Sequence, residues 1–224
     1  MGDINKIAVL YGGSSSEREI SIQSGEGVYK AIIELGFIGD LIDINDLEDL
    51  SELKVFDFIF IALHGFEGEG GKLQKDLDDL NILYSGSSSK CCKNTWNKNA
   101  TKEVLEQNDI NTPIWSEVNK LPSYDSPNAK LSDSFFDKFR PFEAIFLKPQ
   151  EDGSSIDIFK ISNENNYKNA IQACLNPNRA FIYEEYINGK EFTVTIIDNI
   201  CLPPIEIISN NEFYDYDAKY HSDE

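Results

Sequence analysis

The sequence is poor in cysteine, histidine and basic side chains, and it has no long apolar run. Its 224 residues hold four cysteines, Cys91, Cys92, Cys174 and Cys201. Two are adjacent and none stands in a C-x-x-C pair, which argues against a zinc site and against a disulfide framework. Reduced thiols are expected. Lysine and arginine total 20 against 39 aspartates and glutamates, a formal charge of −19. Nucleic-acid binding needs clustered cations to displace counterions, so no nucleic-acid partner is expected. An anionic membrane surface is disfavoured for the same reason. No apolar run approaches the roughly 18 residues of a membrane-spanning helix. The start, MGDINKIAVLYGG, lacks the basic and then apolar regions of a secretory signal. Lys6 stands where myristoylation prefers Ser or Thr. A cytoplasmic, globular protein without a membrane partner is the expectation.

What is present is enough apolar material for a core: 41% of residues are hydrophobic. The length allows one large domain or two or three small ones. Lys6 to Tyr11 (KIAVLY) is a short apolar run that predicts a strand buried on both faces. Gly12-Gly13 breaks it. Ser16 and Glu19 have capping-box spacing, so a helix is predicted to begin there. Ile20, Val28, Ala31, Ile32 and Leu35 recur on one face, and Gly36 is its stop signal. Further strands are predicted near 37–42 and over 56–63. Strand, glycine turn and helix make half of a βαβ unit.

The segment ALHGFEGEGG ends the third of these strands in His64 and then opens into glycines and glutamates. In open parallel sheets, ligands bind beyond the carboxyl ends of the strands. Residues 12–17 and 64–71 are therefore expected side by side at one rim. Glycines let backbone approach a ligand closely, and His64 adds a titratable contact. Each loop alone reads as an ordinary turn; the pair, each with polar side chains, reads as a site. Further on, residues 121–141 are rich in Pro, Ser and Asp and predict a loop-containing connection before a strand at Ile145. Phe192, Val194 and Ile196 alternate with Thr193, Thr195 and Ile197, which predicts a single strand.

Six blocks in order carry a more specific signal: GGSSSEREISIQSG, ALHGFEGEGGKLQ, YSGSSSKCCKNTWNKNATKEVL, FLKPQEDGSS, YEEYINGKEFTV and FYDYDAKY. Together they resemble the D-alanine–D-alanine ligases of the ATP-grasp superfamily over essentially the whole chain. The resemblance implies an α/β protein. An N-terminal open parallel-sheet substrate domain (1–89) would precede an ATP-grasp α+β region. That region comprises a central subdomain (90–183) and a truncated C-terminal subdomain with a lid (184–224). It implies a reaction in which ATP phosphorylates one D-alanine and the amine of a second attacks the acyl phosphate. D-alanine and ATP would be the partners, magnesium the metal, and a homodimer through the N-terminal domain the assembly.

The same resemblance assigns residues. Glu17, Ser154 and the lid tyrosine Tyr220 would orient the first D-alanine and close the site. His64 and Glu69 would contact substrate. Lys98, Lys148 and Lys219 would meet ATP phosphates, with Ser155 in the loop that covers them. Glu184 would lie near the adenine amino group and Glu191 on the ribose hydroxyls. The backbone of Glu185 and Ile187 would read the adenine edge. Without that context the lysines read as exposed side chains, Ser154 as a turn residue and the glutamates as solvated ends of a hairpin. Departures from the family pattern are Gly70 and Asn97, where Asp is usual, and Asp157, where Gly is usual. A carboxylate at 157 is expected to repel a triphosphate. No counterpart of the family's magnesium ligands is found, so an inactive nucleotide- or ligand-binding module is the alternative expectation. A different ATP-grasp ligase is a third.

Overall fold

A computed structural model of the chain describes residues 4–122, 142–197 and 199–208. Two compact units divide it, Met1–Val104 and Leu105–Glu224.

In the first unit, strand β1 (Lys6–Tyr11) leads through Gly12-Gly13 into helix α1 (Arg18–Glu34), and β2 (Ile38–Asp43) follows. Strand β3 (Phe58–Ile61) pairs on the other side of β1, so the parallel order is β2-β1-β3. Tyr84 extends the sheet by a parallel bridge to Ile59. The expected burial of β1 on both faces holds. Ala8 and Leu10 enter one core with Leu53, Ile59, Leu63, Leu73 and Leu77, while Ile7 and Val9 enter another with Ile32 and Ala62. Helices α2 (Phe66–Glu69), α3 (Lys72–Asp79), α4 (Ser89–Trp96) and α5 (Lys98–Gln107) complete this part of the chain. The last residues of α5 fall in the second unit.

Two details of α1 differ from expectation. The predicted Ser16/Glu19 capping box does not form: Glu17 is the N-cap residue and makes no side-chain cap bond. Ser15 supplies the local acceptor instead, with Glu17 N donating to its Oγ at 3.2 Å. A capping box forms elsewhere, at Asp49 and Glu52, on a short 3-10 turn. The buried positions of α1 are Ser21, Gly25 and Ile32, whereas Ala31 and Leu35 face solvent. The stop at Gly36 is as expected. Its φ of +86° accompanies bonds from Gly36 N to Ile33 O and from Phe37 N to Ile32 O, which together make a Schellman ending.

In the second unit, β4 (Trp115–Val118), β5 (Ile145–Pro149), β6 (Phe159–Ile161) and β7 (Phe181–Glu185) form an antiparallel sheet ordered β4-β7-β5-β6. Helix α6 (Glu164–Ala173) buries Tyr167, Ala170 and Ile171 against one face, on Ile145, Leu147, Ile161, Phe181 and Tyr183. Strand alternation sends Phe146, Lys148, Lys160 and Glu184 to the opposite face. The single strand predicted over 192–197 is two: β8 (Glu191–Thr193) pairs with β11 (Ile205–Ile207), and β9 (Ile196–Ile197) pairs with β10 (Ile200–Cys201). Alternation persists in the sequence, but the chain changes partner at Val194-Thr195. These short pairs leave Phe192, Ile196, Ile197, Ile200 and Ile205 exposed. From residue 123 onward, the predicted connection over 121–141 lies outside the described residues.

Two glycines of α1 should respond oppositely to the same change. A Cβ on Gly25 would lie 2.6 Å from Tyr11 Cβ, while a Cβ on Gly27 would meet nothing within 4 Å. Gly25→Ala should destabilise by about 1–3 kcal/mol through overpacking. Gly27→Ala should stabilise by roughly 0.5–1 kcal/mol. Chemical denaturation of both variants checks the contrast.

Candidate functional site

In the sheet order β2-β1-β3, β1 connects outward to β2 and the chain then crosses back to place β3 on the other side of β1. The switch point lies between the carboxyl ends of β1 and β3, the usual ligand crevice of such sheets. The two loops expected there do meet. Ser15 Oγ donates to His64 O at 3.1 Å, and Ser14 N and Oγ donate to the Glu67 carboxylate at 2.7 and 2.6 Å. Ser21, fully buried, closes the gap beneath: its Oγ accepts from Gly12 N at 2.9 Å and donates to Ala62 O at 2.8 Å. Backbone at both strand ends is thus satisfied by one hydroxyl on α1.

The predicted residues Glu17, His64 and Glu69 come together on this rim. Glu17 is buried, and its Oε2 would be 3.3 Å from a Cβ placed on Gly65. Glu69 Oε1 accepts from Gly65 N at 3.1 Å and stands 4.0 Å from His64 Nδ1. Ser24 Oγ lies 3.1 Å from the other ring nitrogen, Nε2. The imidazole is therefore hydrogen-bonded at Nε2, with the Glu69 carboxylate beyond its Nδ1. Loss of hydration pushes the Glu69 carboxyl above the ordinary carboxylate range; Glu17 adds to this, and the Gly65 amide and His64 oppose it. Two carboxylates converging on a histidine at a crevice mouth suit recognition of a small ammonium group.

Behind the rim, Asp43 at the end of β2 holds the glycine turn. It accepts from Gly13 N at 3.3 Å, Asn45 N at 3.0 Å and Arg18 Nη2 at 2.5 Å, while Arg18 Nη1 donates to Gly13 O at 2.7 Å. Burial pulls the Asp43 carboxyl upward, but Arg18 and the two amides more than offset it, leaving it below the usual range. Residue-pattern reasoning missed Ser21, Ser24, Asp43 and Glu67. Ser21 and Ser24 carried one faint signal, as polar residues on the buried side of an amphipathic helix.

In the second unit, the sheet face opposite α6 forms the other candidate surface. Lys148 Nζ is ion-paired with the Glu184 carboxylate, both side chains being largely buried. Lys148 Nζ also lies 5.0 Å from the centre of the Phe146 ring, which packs edge-on against Tyr186 at 5.6 Å. Lys160 Nζ stands 4.0 Å over the Tyr186 ring. Two ammonium groups beside aromatic faces can hold a planar ring and a phosphate chain. Glu185 N donates to Ile114 O at 2.9 Å, so any adenine-edge contact by Glu185 would fall to its carbonyl. Ile187 and Glu191 are exposed.

The loop beyond β5 is strained and tied. Ser154, Ser155 and Asp157 have φ of +51°, +59° and +54°. Left-handed conformations cost such residues of order 1 kcal/mol each and persist only where surroundings enforce them. Arg179 does so: Nη2 bonds Asp157 Oδ2 at 2.5 Å, and Nη1 pairs with Asp152. Asp157 also accepts from Leu175 N at 2.9 Å and Asn176 N at 3.3 Å. The expectation that Asp157 would repel a triphosphate is therefore corrected, because its charge is buried and neutralised by Arg179. Its left-handed backbone accounts for glycine being usual there. Asn97 is explained too: its Oδ1 accepts from Ala100 N at 2.9 Å and caps α5, which begins at Lys98. At Gly70, a Cβ would lie 2.5 Å from the Phe66 ring, so the bulky ring and the bare glycine go together.

Lys219 and Tyr220 lie outside the described residues. Glu17, His64, Glu69 and Lys98 belong to the first unit, and Lys148, Ser154, Ser155, Glu184, Glu185, Ile187 and Glu191 to the second. Among the described residues, no group of three or more His, Cys, Asp or Glu side chains could hold a metal ion. Among the same residues, no helix is long and apolar enough to cross a membrane.

Asp43 makes an acid-stability prediction. Its pKa is lower folded than unfolded, so its stabilisation is present above about pH 4 and lost as pH falls through the folded value. Asp43→Asn should cost about 2 kcal/mol at pH 7. The deficit should shrink as both proteins are taken to acid pH, as read by denaturant unfolding at a series of pH values.

Residues 104–224 match the family described as D-ala D-ala ligase C-terminus. The chain is 33% identical over 216 residues to D-alanine–D-alanine ligase B of Clostridium perfringens, covering 96% of this chain and 68% of that protein. It is 37% identical over 222 residues to D-alanine–D-alanine ligase of Haemophilus ducreyi, covering 97% and 70%. The crystal structure of D-alanine–D-alanine ligase from Bacillus anthracis complexed with ATP superimposes with a TM-score of 0.76 at 29% identity, over 94% of this chain and 68% of that one. On these likenesses, and with the order of motifs and the parallel-sheet and antiparallel-sheet units described above, the chain belongs to the D-alanine–D-alanine ligase family.

Proposed function

We propose that this chain carries the amino-acid and nucleotide parts of a site that joins two D-alanines at the expense of ATP, in supply of peptidoglycan precursors. The observation that carries the reading is the acidic rim of Glu17, His64 and Glu69 at the sheet's switch point. The pairing of Lys148 with Glu184 beside Phe146 and Tyr186 supports it in the second unit. ATP supplies the phosphoryl group that activates one substrate carboxylate. Glu17 and Glu69 receive the ammonium of the first D-alanine, and His64, held by Ser24, presents its imidazole to the substrate. Ser154 and Tyr220 are proposed, from the family resemblance, as further residues that orient the substrate. Lys98, Lys148 and Lys219 neutralise phosphate charge, and Ser155 donates to it. Glu184, Glu185 and Ile187 read adenine, and Glu191 accepts from both ribose hydroxyls. The reading includes the three-part division at 1–89, 90–183 and 184–224, a cytoplasmic location and a homodimer through the first part.

No step is assigned to magnesium. The alternative reading is that the chain binds ATP and D-alanine without turnover. The chain spans 68–70% of the length of these relatives.

One experiment separates the two. The purified chain is incubated with ATP, magnesium and D-alanine, and D-alanyl-D-alanine is sought by mass spectrometry after circular dichroism has shown it folded. Dipeptide establishes the ligase reading. Binding of both ligands without dipeptide establishes the second, and binding of neither sinks both. Lys148→Ala should weaken ATP binding about tenfold, the worth of one charge-assisted contact, and leave D-alanine binding unchanged in calorimetry.

A further inference from the structure

Consecutive amides at the carboxyl end of β1 donate to oxygen acceptors of the protein itself. Gly12 N donates to Ser21 Oγ at 2.9 Å, Gly13 N to Asp43 Oδ1 at 3.3 Å and Ser14 N to Glu67 Oε2 at 2.7 Å. Ser14 Oγ adds a bond of 2.6 Å to Glu67 Oε1. Gly12 and Gly13 are left-handed, at φ +81° and +76°. A Cβ on Gly13 would lie 2.0 Å from Glu67 Oε2, so the carboxylate sits directly on the turn.

A glycine turn between the first strand of a parallel sheet and its helix is a common receptor for phosphate. Its successive amides favour a group with two or more anionic oxygens. Here that position is filled. Asp43 is buried and matched by Arg18. Glu67 is held differently. Among the described residues it forms no ion pair, and both of its oxygens take donors from Ser14. It occupies the turn as two oxygens of a bound anion would. With the donors engaged, the rim offers Glu17, Glu69 and Glu67, a surface of acceptors and negative charge.

We propose that Glu67 is the built-in occupant of an anion-binding turn. By filling it, the chain denies this rim to phosphate and reserves it for the ammonium end of an amino acid. Glu67 is thus a specificity-determining residue, positioned by Ser14 and acting without touching the reacting atoms. The ammonium half of the proposal rests on the proposed function; the phosphate half does not.

The test follows the Gly13 and Ser14 amides by NMR while the labelled chain is titrated with inorganic phosphate and, separately, with D-alanine. In the native chain phosphate should leave both amides unmoved. In Glu67→Ala it should move them saturably, and D-alanine should bind about tenfold more weakly, the scale of one lost charge-assisted bond. Glu67→Gln keeps an acceptor without the charge and should lie between. It carries the test if melting shows Glu67→Ala unfolded. A folded variant pair whose amides ignore phosphate overturns the proposal, and so does saturable phosphate binding at these amides in the native chain. A native chain that ignores D-alanine removes the amino-acid reading and the ammonium half with it, while the phosphate comparison still decides the other half.

Discussion

The first unit depends on how the end of a doubly buried strand disposes of its polar backbone. β1 has a core on each face. Where it stops, its Gly12 and Gly13 amides are buried and reach no neighbouring strand. Buried N–H groups left unpaired are costly, so acceptors must be brought to them. Ser21 and Asp43 meet that demand from α1 and β2, and Glu67 of α2 takes the exposed Ser14 amide beside them. Three separate segments are thereby drawn to one point. The rim that gathers Glu17, His64 and Glu69 is a consequence of this convergence, because the same loops carry both sets of residues.

The second unit solves a related problem by alternation. Odd-numbered residues of β5 and β7 fill the core under α6, which leaves the even-numbered Phe146, Lys148 and Glu184 on the other face. Ion pairing between Lys148 and Glu184 satisfies two charges that the sheet holds largely out of water. The neighbouring loop obeys a different constraint. Its left-handed run at Ser154, Ser155 and Asp157 is held by Arg179, whose guanidinium spans Asp152 and Asp157. An unusual residue at 157 is thus absorbed into structure, and Cys174 beside it has its thiol pushed up to about 11 by burial and by Asp157.

Much was legible before the structure. The six motifs were enough to suggest the family, and apolar runs located β1 and β3 to within two residues. Loop adjacency at the rim followed from parallel-sheet logic, without knowledge of any contact. The misses share a cause. Ser16 and Glu19 had capping-box spacing, yet Ser15 faces His64 and Glu17 is buried near Gly65, so the local signal lost to tertiary demands. Residues 192–197 kept their alternation while the chain changed strand partners midway, which periodicity does not encode.

The sequence by itself determined the class of fold, the order of its parts and the side chains available for chemistry, because these depend on periodicity, turn residues and motif order along the chain. Tertiary structure alone decided what each side chain is used for. Asp157 looked like a charge facing a ligand and is a buried partner of Arg179. Glu67 had no assigned role and sits on the glycine turn. Ser21 had none either and ties two strand ends together. Hydrogen-bond partners distant in sequence settle such roles, and their distances become physical only when the chain has closed upon itself.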